Sequence, residues 1–106
     1  MKGMLSSVFA ILMAIFSVSV QAADKVVITG SPVVLEQRGD VYYVPGDYKS
    51  TETYHYVTIG GTNRVCFAEA QPSLASLDLV LVDVQVGGER VKWNCYQYDT
   101  THFEVK

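Results

Sequence analysis

The chain has 106 residues, of which 49% are hydrophobic, and its eight Lys and Arg against eleven Asp and Glu give a net charge of −3 at pH 7. This length corresponds to one domain. The basic residues are scattered and form no run, whereas nucleic acids and anionic membranes select a cationic face. The composition therefore argues against both kinds of partner.

Residues 1–22 have the pattern of a secretory signal peptide. Lys2 supplies the positive charge at the start, Val8–Phe16 is an unbroken apolar run, and small residues precede a cleavage site after Ala22. A helix that spans a bilayer needs about 20 predominantly apolar residues, and this run is much shorter. We therefore predict cleavage after Ala22, which leaves residues 23–106 as a single domain.

An exported domain folds in an oxidising compartment, either the periplasm or the outside of the cell. No cysteine lies at the cleavage site, so a lipoprotein anchor is not expected, and no membrane contact is predicted after cleavage. Cys66 and Cys95 are the only cysteines, and we predict that they form a disulfide. Closing a loop of about 30 residues contributes roughly 3.5 kcal/mol in the chain-entropy model. A domain this small needs that contribution because it buries only about 60% of its unfolded surface.

From Lys25 onward, short β-prone runs alternate with turn residues, and no segment has helical periodicity. Gly39-Asp40 is compatible with a two-residue hairpin loop, and a short helical turn fits only within Ala70–Ser76. The run Leu77–Val86 is the most apolar, which predicts a central strand covered on both faces for much of its length. The predicted strands are Lys25–Thr29, Val33–Arg38, Val41–Val44, Glu52–Ile59, Asn63–Glu69, Leu77–Val86, Glu89–Tyr98 and Thr100–Lys106.

Short strands at this spacing, separated by turns that contain glycine, predict an all-β fold. We expect a small antiparallel sandwich or a partly open barrel of about six to eight short strands with one disulfide. An immunoglobulin sandwich is a poor match, because its cysteines lie much further apart and a tyrosine stands two residues before the second one. Here Trp93 takes that place, and we assign it to the core beside the disulfide.

Tyrosines provide the sharpest functional hint. In two predicted strands a Tyr-x-Tyr pair lies on the face opposite the aliphatic residues, which we interpret as an outward-facing aromatic surface. Tyrosine combines a large rigid contact area with a polar tip, which suits protein interfaces and sugar faces. The alternative is that these side chains pack across strands and bind nothing. The predicted binding residues are Tyr54, Tyr56, Tyr96 and Tyr98.

No group of residues predicts catalysis, and no cofactor or metal is implied. His55 is interpreted as a satisfied, inward-facing histidine and His102 as part of a solvated loop cluster, and their spacing matches no metal motif. Asp78 and Asp83 lie five residues apart on one predicted strand, so they fall on opposite faces and cannot act on one substrate bond. No serine lies in a nucleophile turn, and a cystine has no thiolate to attack with. We therefore predict a non-enzymatic protein.

These observations together predict an exported, disulfide-stapled β-domain that binds a protein or a glycan, in the periplasm or outside the cell, through its tyrosine-rich face. Pairing at an unprotected sheet edge is a second route to a partner. One alternative is a self-associating structural component of an envelope or secreted matrix. Another is an inhibitor of an extracellular hydrolase that presents a loop such as Pro45–Glu52.

Overall fold

A computed structural model describes residues 25–49 and 53–106. The predicted signal peptide and its cleavage site lie outside the described residues. A 3₁₀ helix, Pro72–Leu74, lies inside the segment for which a helical turn was predicted. The strands are β1 (Val26–Ile28), β2 (Val33–Val34), β3 (Glu36–Arg38), β4 (Val41–Tyr43), β5 (His55–Ile59), β6 (Thr62–Phe67), β7 (Leu79–Val86), β8 (Glu89–Gln97) and β9 (Phe103–Val105).

Seven strands form one sheet in the order β2-β5-β6-β8-β7-β4-β3. Its two edge strands, β2 and β3, are consecutive segments of one run, separated only by Leu35. Leu35 is buried, and its N–H donates to the carbonyl of Thr58 at 3.0 Å. The chain therefore bends at Leu35 and nearly closes the sheet into a barrel. The prediction of an all-β fold with one disulfide is confirmed.

Most neighbouring strands are antiparallel, as in the hairpin closed by Gly39-Asp40. Three pairs are parallel: β2 with β5, β4 with β7, and β1 with β9. Parallel partners are joined through distant parts of the chain, and they leave no local turn signature. The alternation of side chains is the same for either direction, so the sequence pattern does not distinguish them.

The barrel interior is filled by apolar residues from alternate positions of its strands, which we call the inner cluster. Trp93 is 4% exposed within it, next to the disulfide, so its assignment to the core is confirmed. The inner cluster consists of Leu35, Val57, Ile59, Cys66, Val82, Val84, Trp93 and Cys95.

A second apolar layer covers the outer face of β5, β6 and β8. It is formed by β1, β9 and the 3₁₀ helix, which contribute Ile28, Phe103 and Leu74 respectively. We call this layer and the sheet residues beneath it the outer cluster. Its buried members are Ile28, Val65, Phe67, Leu74, Tyr96 and Phe103.

The outer cluster corrects the predicted orientation of Tyr96. The alternation of β8 places Tyr96 opposite the aliphatic residues, as predicted, but its side chain is only 2% exposed. The prediction that it points into solvent is wrong, because β1, β9 and the 3₁₀ helix cover that face. Strand periodicity assigns a residue to a face, and it does not reveal what lies over the face.

Strand β7 is central in the sheet, between β8 and β4. Its inward residues Val82 and Val84 are buried, whereas Leu79 and Leu81 on its outer face are 43% and 59% exposed. The prediction that this strand is covered on both faces is therefore wrong at its first half. The covering layer lies over β5, β6 and β8 and leaves these two leucines at its border.

The predicted disulfide joins the neighbouring strands β6 and β8. Cys66 and Cys95 lie directly opposite each other, with Cα atoms 3.9 Å apart, and both are fully buried. The close spacing is that of a non-hydrogen-bonded antiparallel pair. The sulfurs face the barrel interior as members of the inner cluster, so the disulfide fixes the register of β6 against β8 from inside the core.

Breaking the disulfide is expected to lower the melting temperature of the exported protein by about 15–25 °C. The loop-closure contribution of roughly 3.5 kcal/mol corresponds to this shift for a domain of under 100 residues. Calorimetry of the oxidised protein and of the Cys66→Ala/Cys95→Ala variant measures it. An unchanged transition would show that the bridge contributes little to the fold.

Candidate binding site

The structure separates the four tyrosines of the predicted binding surface. Tyr96 is buried, and its hydroxyl accepts a hydrogen bond from the Gln71 N–H at 2.7 Å. Tyr54 is half-buried, and its hydroxyl accepts from the Thr29 N–H at 2.8 Å. These hydroxyls attach the start of the 3₁₀ helix and the end of β1 to the sheet. Both tyrosines therefore hold the covering layer in place.

Tyr56 and Tyr98 form a close pair on the outer face of the sheet. Both are half-buried, with ring centroids 5.6 Å apart, and Tyr98 also stacks on Phe103 at 5.8 Å. Burial and the neighbouring Tyr98 raise the pKa of Tyr56 despite an opposing hydrogen bond from Asn63. The Tyr56 hydroxyl is therefore neutral at physiological pH. A binding role for these two rings stays a prediction.

At one end of the barrel, His55 forms part of an aromatic stack. Its ring lies parallel to that of Trp93, with centroids 3.9 Å apart and an interplanar angle of 8°. Its Nδ1 shares a hydrogen bond with the hydroxyl of Tyr48, in the loop that follows β4. Burial lowers the pKa of His55. The interpretation of His55 as an inward-facing, satisfied histidine is confirmed.

The second histidine belongs to a turn. The Asp99 carboxylate accepts from the His102 N–H at 2.8 Å and lies 3.0 Å from its Nδ1. Within residues 25–49 and 53–106, no three His, Cys, Asp or Glu side chains are grouped so that they could hold a metal ion. None of the helices in the described part of the chain is long and apolar enough to cross a bilayer.

A surface groove with a volume of about 440 Å³ opens at the other end of the barrel from His55. One wall is β7 and the other is the tip of the β3–β4 hairpin, while the β5–β6 turn closes the base. We call it the β7 groove. Its volume lies in the range of about 300–1,000 Å³ typical of ligand sites. The lining residues are Gln37, Asp40, Tyr42, Ile59, Gly60, Arg64, Val80, Leu81, Val82 and Asp83.

The charges of the β7 groove are mostly compensated within the protein. The Arg64 side chain is 11% exposed, and its guanidinium donates to the Asp78 carboxylate at 2.9 Å and to the Cys95 carbonyl at 3.4 Å. Asp83 pairs with Lys92 at 3.2 Å on the outer face of the sheet. Asp40, at the exposed hairpin tip, forms no ion pair with any described residue. The uncompensated charge of the groove is therefore negative.

Along this groove, the edge of β7 that faces away from β8 is paired with no described strand before Asp83. β4 pairs with β7 only from Asp83 onward, and no other described strand adjoins β7 on that side. The Gln97 N–H donates to the Asp78 carbonyl, so the hydrogen-bonded partners of β8 are the even-numbered residues of β7. The N–H and C=O groups of Leu79 and Leu81 consequently point away from β8, toward the open edge.

The β7 groove is not predicted by the sequence pattern. It depends on where the parallel β4–β7 pairing begins, and no local residue signal marks that position. The available signal was the two-residue turn Gly39-Asp40, which ends β3 and starts β4 abruptly at Val41. Since the β4–β7 register is unknown from the sequence, that turn does not show which residues of β7 stay unpaired.

Comparison with known proteins gives no match, whether with family models, with curated proteins or with solved structures.

Replacing Tyr96 by serine is expected to lower the free energy of unfolding by about 3–5 kcal/mol, as for other large aromatic residues removed from a core. Tyr56→Ser is the matched control, with an expected loss of about 1 kcal/mol because the side chain is half exposed. Urea denaturation measures both. Similar losses for the two variants would contradict the burial of Tyr96 beneath the covering layer.

The stability of the protein is expected to fall as the pH decreases below about 6.5, the ordinary pKa of histidine. Burial depresses the pKa of His55 in the folded state, so at such pH the unfolded chain binds the extra proton. The free energy of unfolding then drops by at most about 1.4 kcal/mol per pH unit until the folded pKa is reached.

Urea denaturation between pH 5 and 7.5 measures this dependence, and His55→Phe is the control because it keeps a ring against Trp93 without a titrating group. Equal slopes for the two proteins would show that His55 is not the source.

Proposed function

We propose that this chain is an exported, non-enzymatic binding module that recognises a partner protein at the β7 groove. The observation that carries the proposal is the combination of exposed Leu79 and Leu81 with an unpaired strand edge beside a concave surface. Exposed apolar side chains next to unpaired backbone groups are typical of a surface that another chain covers. Such a surface suits a protein better than a glycan.

The buried Cys66–Cys95 disulfide supports an oxidising compartment outside the cytoplasm. The signal-peptide pattern of residues 1–22 adds to this argument from the sequence. Without that peptide the chain carries seven basic and eleven acidic residues, a net charge of −4. We therefore place the binding module in the periplasm or outside the cell, with a basic surface as its preferred partner.

A second candidate is glycan binding at Tyr56 and Tyr98. The observation that favours it is the close pair of half-exposed rings on the outer face of the sheet. The pair is continuous with Phe103 of the outer cluster, so it also has a structural role, and we rank this candidate second. Self-association is disfavoured at the β7 groove, because two copies would bring their uncompensated Asp40 carboxylates together.

Substitution of Leu81 by lysine is expected to abolish capture of the partner protein with little loss of stability, since the side chain is 59% exposed. The measurement is a pull-down from envelope and culture supernatant with the exported protein as bait. Val27→Lys is the matched control, because Val27 is an exposed apolar residue of β1, outside the β7 groove. Equal capture by the two variants would exclude this groove as the binding site.

A further inference from the structure

We infer that the β7 groove receives an extended, basic segment of the partner protein, which adds to β7 as a further strand. This inference rests on the proposed function and specifies the partner's conformation and charge. It follows from three features of the groove, namely its free backbone groups, its apolar walls and its single uncompensated carboxylate.

The free backbone groups of β7 have the spacing of a strand ladder. Leu79 and Leu81 direct their N–H and C=O groups to the open edge, about 6.6 Å apart along the strand. β4 already occupies this edge from Asp83 onward. An added segment therefore takes the position that β4 would fill if it extended beyond the Gly39-Asp40 turn. Only about four residues, some 13 Å of strand, are available to it.

The walls of the groove provide an apolar surface for both faces of such a segment. In a strand, successive side chains point to opposite faces. One set would contact Ile59 and Val80 at the mouth of the barrel, and the other would lie beside the exposed Leu79 and Leu81 on the outer face. Main-chain hydrogen bonds then supply affinity while alternate side chains supply selectivity, as in other cases of strand addition.

Asp40 selects for positive charge. Arg64 forms an ion pair with Asp78, and Asp83 forms one with Lys92. The Asp40 carboxylate at the hairpin tip is therefore the uncompensated charge of the groove among the described residues. It lies at the end of the groove where an added strand would meet β4. A lysine or arginine in the segment pairs with it, whereas an acidic segment, including a second copy of this acidic chain, is repelled.

Residue-resolved amide hydrogen exchange on the exported protein tests this inference. The probe is a seven-residue peptide of alternating lysine and valine. We expect the Leu79 and Leu81 amides to exchange rapidly in the free protein and at least tenfold more slowly at saturating peptide. An acidic peptide of alternating glutamate and valine, and a lysine–valine peptide with N-methylated backbone, are expected to give no protection.

Asp40→Asn is expected to weaken peptide binding about three- to fivefold, the effect of an exposed ion pair. Leu81→Lys should abolish it, and Val27→Lys should leave it unchanged. If Asp40→Asn and the original protein bind the peptide with equal affinity, Asp40 does not select for a basic segment.

Three results overturn strand addition and leave the proposed function standing. The first is that the Leu79 and Leu81 amides are already protected in the free protein. The second is that the peptide binds without protecting them. The third is that the peptide does not bind although Leu81→Lys still abolishes capture of a partner protein. Concentration-dependent protection without peptide would instead identify a second copy as the occupant. If no peptide binds and Leu81→Lys also captures partners normally, the proposed function fails as well.

Discussion

The pairing of β6 with β8 across the Cys66–Cys95 disulfide is the constraint on which both layers depend. On the inner side the sulfurs lie within the apolar cluster that includes Trp93. On the outer side the same two strands present Val65 and Tyr96 to the covering layer. A shift of one residue in this register would exchange the two faces. The bridge prevents that shift, and it therefore preserves the inner and the outer cluster together.

The outer cluster gives the tyrosines a different role from the one their spacing first indicates. The hydroxyls of Tyr54 and Tyr96 accept hydrogen bonds from backbone N–H groups of the covering segments. Each ring is packed against an apolar layer while its polar tip accepts a hydrogen bond from the backbone of a covering segment. A short chain with little core thereby gains a second apolar layer from segments that are too short to be stable alone.

Most of the strands, the Gly39-Asp40 hairpin, the disulfide and the core position of Trp93 follow from local pattern and can be predicted from the sequence. The predicted strand Val33–Arg38 is an exception, because it divides at Leu35 into β2 and β3 at the two edges of the sheet. The burial of Tyr96 and the exposure of Leu81 cannot be predicted in this way. Both depend on which distant segment lies over a sheet face, and the covering strands β1 and β9 come from opposite ends of the domain. The open edge of β7 likewise depends on a parallel register that no turn encodes.

An open strand edge is normally an aggregation risk, and small β-proteins keep such edges short or charged. Here the open part of the β7 edge ends at Asp83, where pairing with Val41 of β4 begins. The tip of the β3–β4 hairpin places Asp40 beside this open part. In the proposed binding mode, the short length of this open edge and the Asp40 carboxylate favour a short basic strand over a long or acidic one. Under the proposal, the features that would limit self-association at this edge are the same features that would favour a partner of opposite charge.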